Sequence, residues 1–387
     1  MLLRLPRYFS KHLSLQIEEL YASTAIGELG ISIFLLFEPI FLYAVLGLSI
    51  QQVLWFFAIL YATYIFLLPL GARIVSIVGY YHGIFYSTFF MIAYWLLLYV
   101  SQEYHGLLWI APILYAMHKS LYWTAFHASM ARFANDSQKG REFSVLYAIV
   151  NVTRIVGPYI GGVIGTYYGL QGSLLLACTI YLCSFIPLFI KREEFVSKPY
   201  EFRWTLELYK KYPKKFLGYL GFGEELIVLS IWPIFIYTIV NNFETTGKLA
   251  TIATLVSTLL ALYLGKISDK NSKTVLIKTG AFFTALIYFA RFMATSFWSI
   301  FALDALSRTA KDTVIIPLAT VTYERAENTH IMPYVVFFEQ SLAIGKLLAC
   351  LLGIIVFSLV AGTFGVGLAF LAVFALAGVF SLFYMFI

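Results

Sequence analysis

The sequence predicts an all-α membrane protein: twelve spanning helices in two pseudo-symmetric six-helix bundles. Three observations predict it. The chain is 61% hydrophobic and 12% charged, with mean hydropathy +0.83, whereas soluble domains carry about 25% charge. Its apolar runs suit helices of about 20 residues, and its length holds about twelve of them with short loops. A phrase also repeats. "FEPIFLY" at 37–43 and "IWPIFIY" at 231–237 place Pro39 and Pro233 194 residues apart, about half the chain.

The elements follow in order. Residues 1–21 form a cytoplasmic segment in which "SKHLSLQIEEL" has an amphipathic pattern. The first bundle, 22–190, holds helices at 22–47, 52–72, 80–100, 106–129, 143–167 and 171–190. A basic cytoplasmic linker, 191–215, carries Lys198, Arg203, Lys210, Lys211, Lys214 and Lys215 among aromatics, suited to the surface of anionic lipid. The second bundle, 216–387, holds helices at 216–240, 248–264, 275–294, 298–319, 331–359 and 363–386. Alternating-polarity strands of a membrane barrel are absent. Both halves begin on the same side, so the repeat is parallel and its pseudo-twofold axis follows the membrane normal.

Charge fixes the expected orientation. Of the 27 Lys and Arg residues, six fall within helices, Lys248 alone falls outside, and the other twenty fall on the cytoplasmic side. This is the positive-inside asymmetry, with both termini cytoplasmic and the protein multi-pass in the cell membrane. It accounts for the net charge of +7 without nucleic acid. Cys178, Cys183 and Cys350 lie in helices, so no disulfide is expected. The first apolar segment is too long for a signal sequence and contains Glu28 and Glu38, so it is read as retained.

Several activities lack their residues. There is no G-x-x-x-x-G-K-[ST] loop for an ATP motor, and no H-E-x-x-H or G-x-S-x-G for the commonest hydrolases. The reading is a non-enzyme with no cofactor and no metal site.

Thirteen ionisable side chains, histidines aside, fall inside the predicted helices: Glu28, Glu38, Glu224, Glu225, Asp304, Asp312, Glu339, Lys119, Arg154, Arg291, Arg308, Lys311 and Lys346. Each costs roughly 3 kcal/mol at a lipid-facing helix centre. Together they would cost on the order of 40 kcal/mol, beyond any fold's net stability. They must therefore face protein or water, mostly in pairs. Arg291 and Asp304 fall near the outer end of one hairpin and are expected to pair. Glu224 and Glu225 are adjacent, so at most one is expected in a cavity. Arg154 and Lys346 match at a spacing of 192.

"GKISDKNSKT" at 265–274 resembles the loop after the second helix in the major facilitator superfamily, G-x-x-x-D-[RK]-x-G-[RK]-[RK], at Gly265, Asp269, Lys270 and Lys273. "GARIVSIVGY" at 71–80 keeps Gly71 but has Val75 in place of the acid. "GPYIGG" at 157–162 is similar to the end of the fifth-helix motif of family antiporters, with Pro158 able to kink the helix. The resemblance covers the whole chain and implies a monomeric divergent member. It also implies a cytoplasmic gate, with glycine at a tight turn and Asp269 meeting Arg325 or the helix start near Phe143. Helices one, four, seven and ten would line a central cavity, and Glu28, Glu38, His118, Lys119, Glu224, Glu225, Asp304, Arg308, Lys311 and Asp312 fall on those four.

The functional expectation is a secondary active transporter for a small organic solute, anionic or zwitterionic, working by alternating access with proton coupling and a lean toward export. Proton coupling is assigned to Glu38, with Asp312, Glu224 and Glu28. Substrate contacts are assigned to Lys119, Arg154, Arg308, Lys311 and His118, with Tyr43, Tyr122, Trp123 and Trp232 as stacking partners. The partners are the solute, protons and membrane lipids. Alternatives are an importer, or a non-transporting sensor or scaffold on the same fold.

Overall fold

The computed structural model describes residues 15–133, 139–190, 193, 195, 197, 199–268 and 272–387. Among them there is no β-strand. Helix α1 (Leu15–Leu35) is followed by the single turn α2 (Glu38–Ile40) and a π-helical turn, Phe41–Val45. Then come α3 (Ile50–Val78), α4 (Tyr80–Val100), α5 (Ala111–Phe133) and the long α6 (Lys139–Leu182). Two short helices, α7 (Phe202–Lys211) and α8 (Pro213–Leu220), lead to α9 (Gly223–Val240). The rest is α10 (Phe243–Ser268), α11 (Lys273–Phe289), α12 (Phe297–Glu327), α13 (Ile331–Phe364) and α14 (Val366–Leu382).

Eight helical segments among the described residues are long and apolar enough to cross a membrane. One of them, Ala148–Phe189, holds two arms. It folds back at Gly169, whose φ of +71° suits a residue without Cβ, and Ser173 Oγ donates to Gly161 O at 2.7 Å across the hairpin. Helices α5, α10 and α12 fall outside the eight, being richer in polar side chains.

Two long contacts join the first half of the chain to the second: α3 on α13 and α6 on α10. Small residues make the second contact close. A Cβ on Gly162 would stand 2.7 Å from Phe243 O, and one on Gly247 would strike Pro158 O. On another face of α6, a Cβ on Gly157 or Gly161 would strike Ser32 or Ile33 of α1. The glycines of "GPYIGG" are thus packing residues. Pro158 sits in continuous helix, and the break comes at Gly169.

Several expectations need correction. Residues 15–20 are not a separate surface helix, because they run without a break into α1; residues 1–14 lie outside the described residues. Gly71 and Gly265 lie inside α3 and α10 rather than at turns. Gly71 serves close packing, since a Cβ there would strike Ser120 O of α5. The α3–α4 turn is made by Gly79, with φ +102°. Beside it Glu193 accepts from the backbone N–H groups of Tyr80 (2.7 Å) and Tyr81 (3.1 Å), capping α4. Burial pushes the Glu193 carboxyl up, and those two bonds oppose it. The linker is not solely a lipid-facing tether. Helix α7 docks on α13, with Thr205 Oγ1 donating to Pro333 O at 3.3 Å and Trp204 stacked on His330.

Gly161→Ala is expected to destabilise the fold by about 1–3 kcal/mol through overpacking. Gly106→Ala, where an added Cβ meets nothing within 4 Å, is expected to leave thermal unfolding unchanged. Equal melting temperatures for the two variants would refute the close α1–α6 contact.

Candidate functional site: a charged cavity between the two halves

A cavity of about 430 Å³ is lined by α1, α2, α3, α5 and α6 from the first half and by α9, α10, α11, α12 and α13 from the second. It brings together nearly every side chain expected there. Glu28, Glu38, His118, Lys119, Tyr122, Trp123 and Arg154 line it from the first half. Glu224, Trp232, Arg308, Lys311 and Asp312 line it from the second. Tyr43 does not. It sits on the π-helical turn, half-buried against the apolar core, where the break in helix geometry after Pro39 carries it away from the lining.

The charges are organised as pairs, each within one half. Arg154 Nη2 lies 3.7 Å from Glu28 Oε2, joining α6 to α1. Lys346 Nζ lies 3.0 Å from Glu225 Oε2, joining α13 to α9. The first helix of each half is thus tied to its fifth spanning arm, as the spacing of Arg154 and Lys346 foreshadows. Lys311 pairs with Glu224, whose carboxylate also accepts from Tyr288 OH (2.6 Å) and Tyr384 OH (3.2 Å). Arg308 Nε donates to Asp304 Oδ2 at 2.9 Å, and Trp232 Nε1 donates to Asp304 Oδ1 at 3.0 Å.

Two expectations fail here. Glu224 and Glu225 both line the cavity, because each meets a lysine on a different helix: Glu224 meets Lys311 of α12, and Glu225 meets Lys346 of α13. Arg291 and Asp304 do not form an ion pair. Asp304 is taken by Arg308 and Trp232, while Arg291, fully buried, stacks on Trp232 (3.9 Å), Tyr288 (4.6 Å) and Phe374 (5.2 Å). These ring faces stand in for a carboxylate.

Within the cavity, Lys119 and Glu38 lack a described ionic partner within 4.0 Å. No carboxylate among the described residues lies within 4.0 Å of Lys119 Nζ. The ammonium faces the rings of Tyr115, Trp123, Tyr61 and Tyr64 at 5.2, 5.7, 5.8 and 5.9 Å. Glu38 is 3% exposed, has no described cation within 4.0 Å, and has Tyr94 and Lys119 as polar neighbours. Arg154, which could have met Glu38, is committed to Glu28. His118 Nδ1 is 3.0 Å from Ser87 O, so that nitrogen carries the proton and donates. Its ring stacks between Tyr115 and Tyr122.

A further network was not singled out by sequence reasoning. Glu339 of α13 accepts from Tyr64 OH of α3 at 2.7 Å and meets His127 Nε2 of α5 at 2.9 Å. His127 Nδ1 in turn meets Tyr323 OH of α12 at 2.7 Å. With Tyr323 donating, a neutral His127 protonated on Nε2 satisfies both contacts. The ring thus ties both halves together. Glu339 was visible in the sequence as a charged residue, but its partners Tyr64 and His127 both lie in the other half of the chain.

The expected gate is only partly within view. Asp269 and Lys270 lie outside the described residues, and so does the proposed contact of Asp269 with Arg325. Lys273 pairs with Glu324 at 2.5 Å on the surface. Arg325 has a buried Nη1 without a hydrogen-bond partner, beside Tyr219 and Tyr334. No metal-binding cluster occurs among the described residues.

A bundle of long apolar helices around an ion-paired cavity defines a polytopic membrane transporter. The chain matches the model of the Major Facilitator Superfamily over residues 20–302 and belongs to that family. No single curated relative matches it.

The Glu225–Lys346 pair gives a direct test. Glu225→Gln strands a buried ammonium and is expected to cost about 3–5 kcal/mol. The double variant Glu225→Gln/Lys346→Gln is expected to recover most of that in thermal unfolding. A double variant as unstable as the single one would show that the pair does not act as a unit.

Proposed function

We propose that the protein is a proton-coupled secondary transporter of a small organic solute. Its twelve spans form two six-helix bundles that rock about the cavity in the cell membrane, with both termini cytoplasmic. The observation that carries this reading is the cavity itself. It lies between the halves and, beside its ion pairs, holds a carboxylate with no described cation within 4.0 Å (Glu38) and a cation with no described carboxylate within 4.0 Å (Lys119). A scaffold would favour closing every pair.

Glu38 suits the coupling role for a physical reason. A carboxyl in an apolar wall changes its proton affinity when access to water or to a nearby cation changes. Alternating access changes both. Trp232, its counterpart at the spacing of 194, lines the same cavity without an acid, so the architecture itself does not require a carboxylate there. Asp312, Glu224 and Glu28 would adjust the field around it. Export is the direction favoured by the likeness of "GPYIGG" to the antiporter motif.

Glu38→Gln is expected to abolish solute movement driven by a pH gradient in proteoliposomes, while solute exchange at equal pH continues. Gradient-driven transport at the wild-type rate would remove Glu38 from the mechanism.

A further inference from the structure

The two halves treat one equivalent lysine differently. Lys119 and Lys311 are 192 residues apart, the same spacing as Arg154 and Lys346. Lys311 has its carboxylate, Glu224. Carried back by 192 or 194 residues, the position of Glu224 becomes Ser32 or Gly30. Neither supplies an acid. Ser32 Oγ donates to Leu29 O and Thr153 O, and Gly30 packs against the backbone of Tyr181. The first half therefore keeps the base and lacks its acid.

The surroundings of Lys119 suit a ligand. Tyr61, Tyr115 and Trp123 both surround the ammonium and line the cavity, with Phe57 and Phe126 in the same lining. Aromatic faces attract the cation but give its N–H donors no lone pair to bond, so the three donors remain free for an anionic oxygen. The remaining cavity cations that face carboxylates, Arg154, Arg308, Lys311 and Lys346, are already neutralised. One available cation in an aromatic chamber selects one negative charge on an apolar body.

We propose that the substrate is an organic monoanion whose acidic head replaces the missing first-half carboxylate at Lys119 and whose apolar or aromatic body lies against Tyr61, Tyr115 and Trp123. This rests on the transporter reading and narrows it. A zwitterion would place its ammonium toward Glu38, but Glu38 is buried whereas Lys119 is only half-buried, so the anionic head is what the cavity receives.

The test uses the full-length purified protein and three probes with one ring system: 2-naphthoate, 2-naphthylmethanol and 2-naphthylmethylammonium. Calorimetric titration and thermal unfolding are expected to show binding in the order anion, then neutral, then cation. Lys119→Met is expected to weaken naphthoate at least about tenfold, in line with loss of a charge-assisted contact, and Lys119→Arg to restore it. Should Lys119→Met fail to fold, the order of the three probes on the wild-type protein decides. Tighter binding of the cation or alcohol, no binding by any probe, or undiminished naphthoate binding in a folded Lys119→Met variant would overturn the inference. Flux of a neutral or cationic solute unaffected by Lys119→Met would overturn it while leaving the transporter reading intact. Naphthoate binding at Lys119 with no flux of any solute would do the reverse.

Discussion

A charge within an apolar bundle must find a partner, and that constraint organises this molecule. Isolated burial of an ion costs several kcal/mol even after relaxation, so each ionised side chain dictates which helices can be neighbours. Arg154 holds α6 to α1, Lys346 holds α13 to α9, and Lys311 holds α12 to α9. All of these pairs lie within one half. Each half is therefore internally neutralised around the cavity, and one can move against the other without separating any of them. Lys119 stands apart because its repeat-related acid is missing. Arg291 stands apart because three ring faces hold it.

The seam between the halves is built differently. Close packing dominates it at α6 and α10, where Gly162 and Gly247 bring two backbones together. At α3 and α13 the polar content is concentrated on Glu339, which meets Tyr64 and His127, and on Gln340, which donates to Ile65 O at 3.0 Å. In the proposed cycle, the contacts that break and re-form are these, while the cavity pairs persist. A carboxylate shared by hydroxyl and imidazole donors suits that task, because each lost bond can be replaced by water as the seam opens.

The sequence carried the architecture further than the site. Hydropathy and the offset of 194 are properties of whole segments and survive errors of a few residues. Cavity membership was also legible, since charge on an apolar helix has nowhere else to go. Partner choice was not. It depends on helix rotation and on contacts between residues far apart in the chain, as for Tyr64 and Glu339. The adjacent Glu224 and Glu225 both reach the cavity because their lysines come from two different helices, which no local pattern encodes. Gly71 and Gly265 matched a turn motif yet lie inside helices, because α3 runs on to Val78 and α10 to Ser268. Tyr43 was displaced by a π-helical turn that the repeat at Pro233, in continuous helix, gave no reason to expect.

If the halves move as rigid units joined through the Glu339 seam, the distance between them at the end nearest the linker reports that motion. Spin labels at exposed Ile77 on α3 and Val275 on α11, with the three native cysteines replaced, would report it by pulsed electron resonance. Glu339→Gln is expected to populate a second distance, while Glu225→Gln/Lys346→Gln is expected to leave the distribution unchanged. An unchanged distribution in Glu339→Gln, or a shift only in the paired cavity variant, would contradict motion of the halves as rigid units.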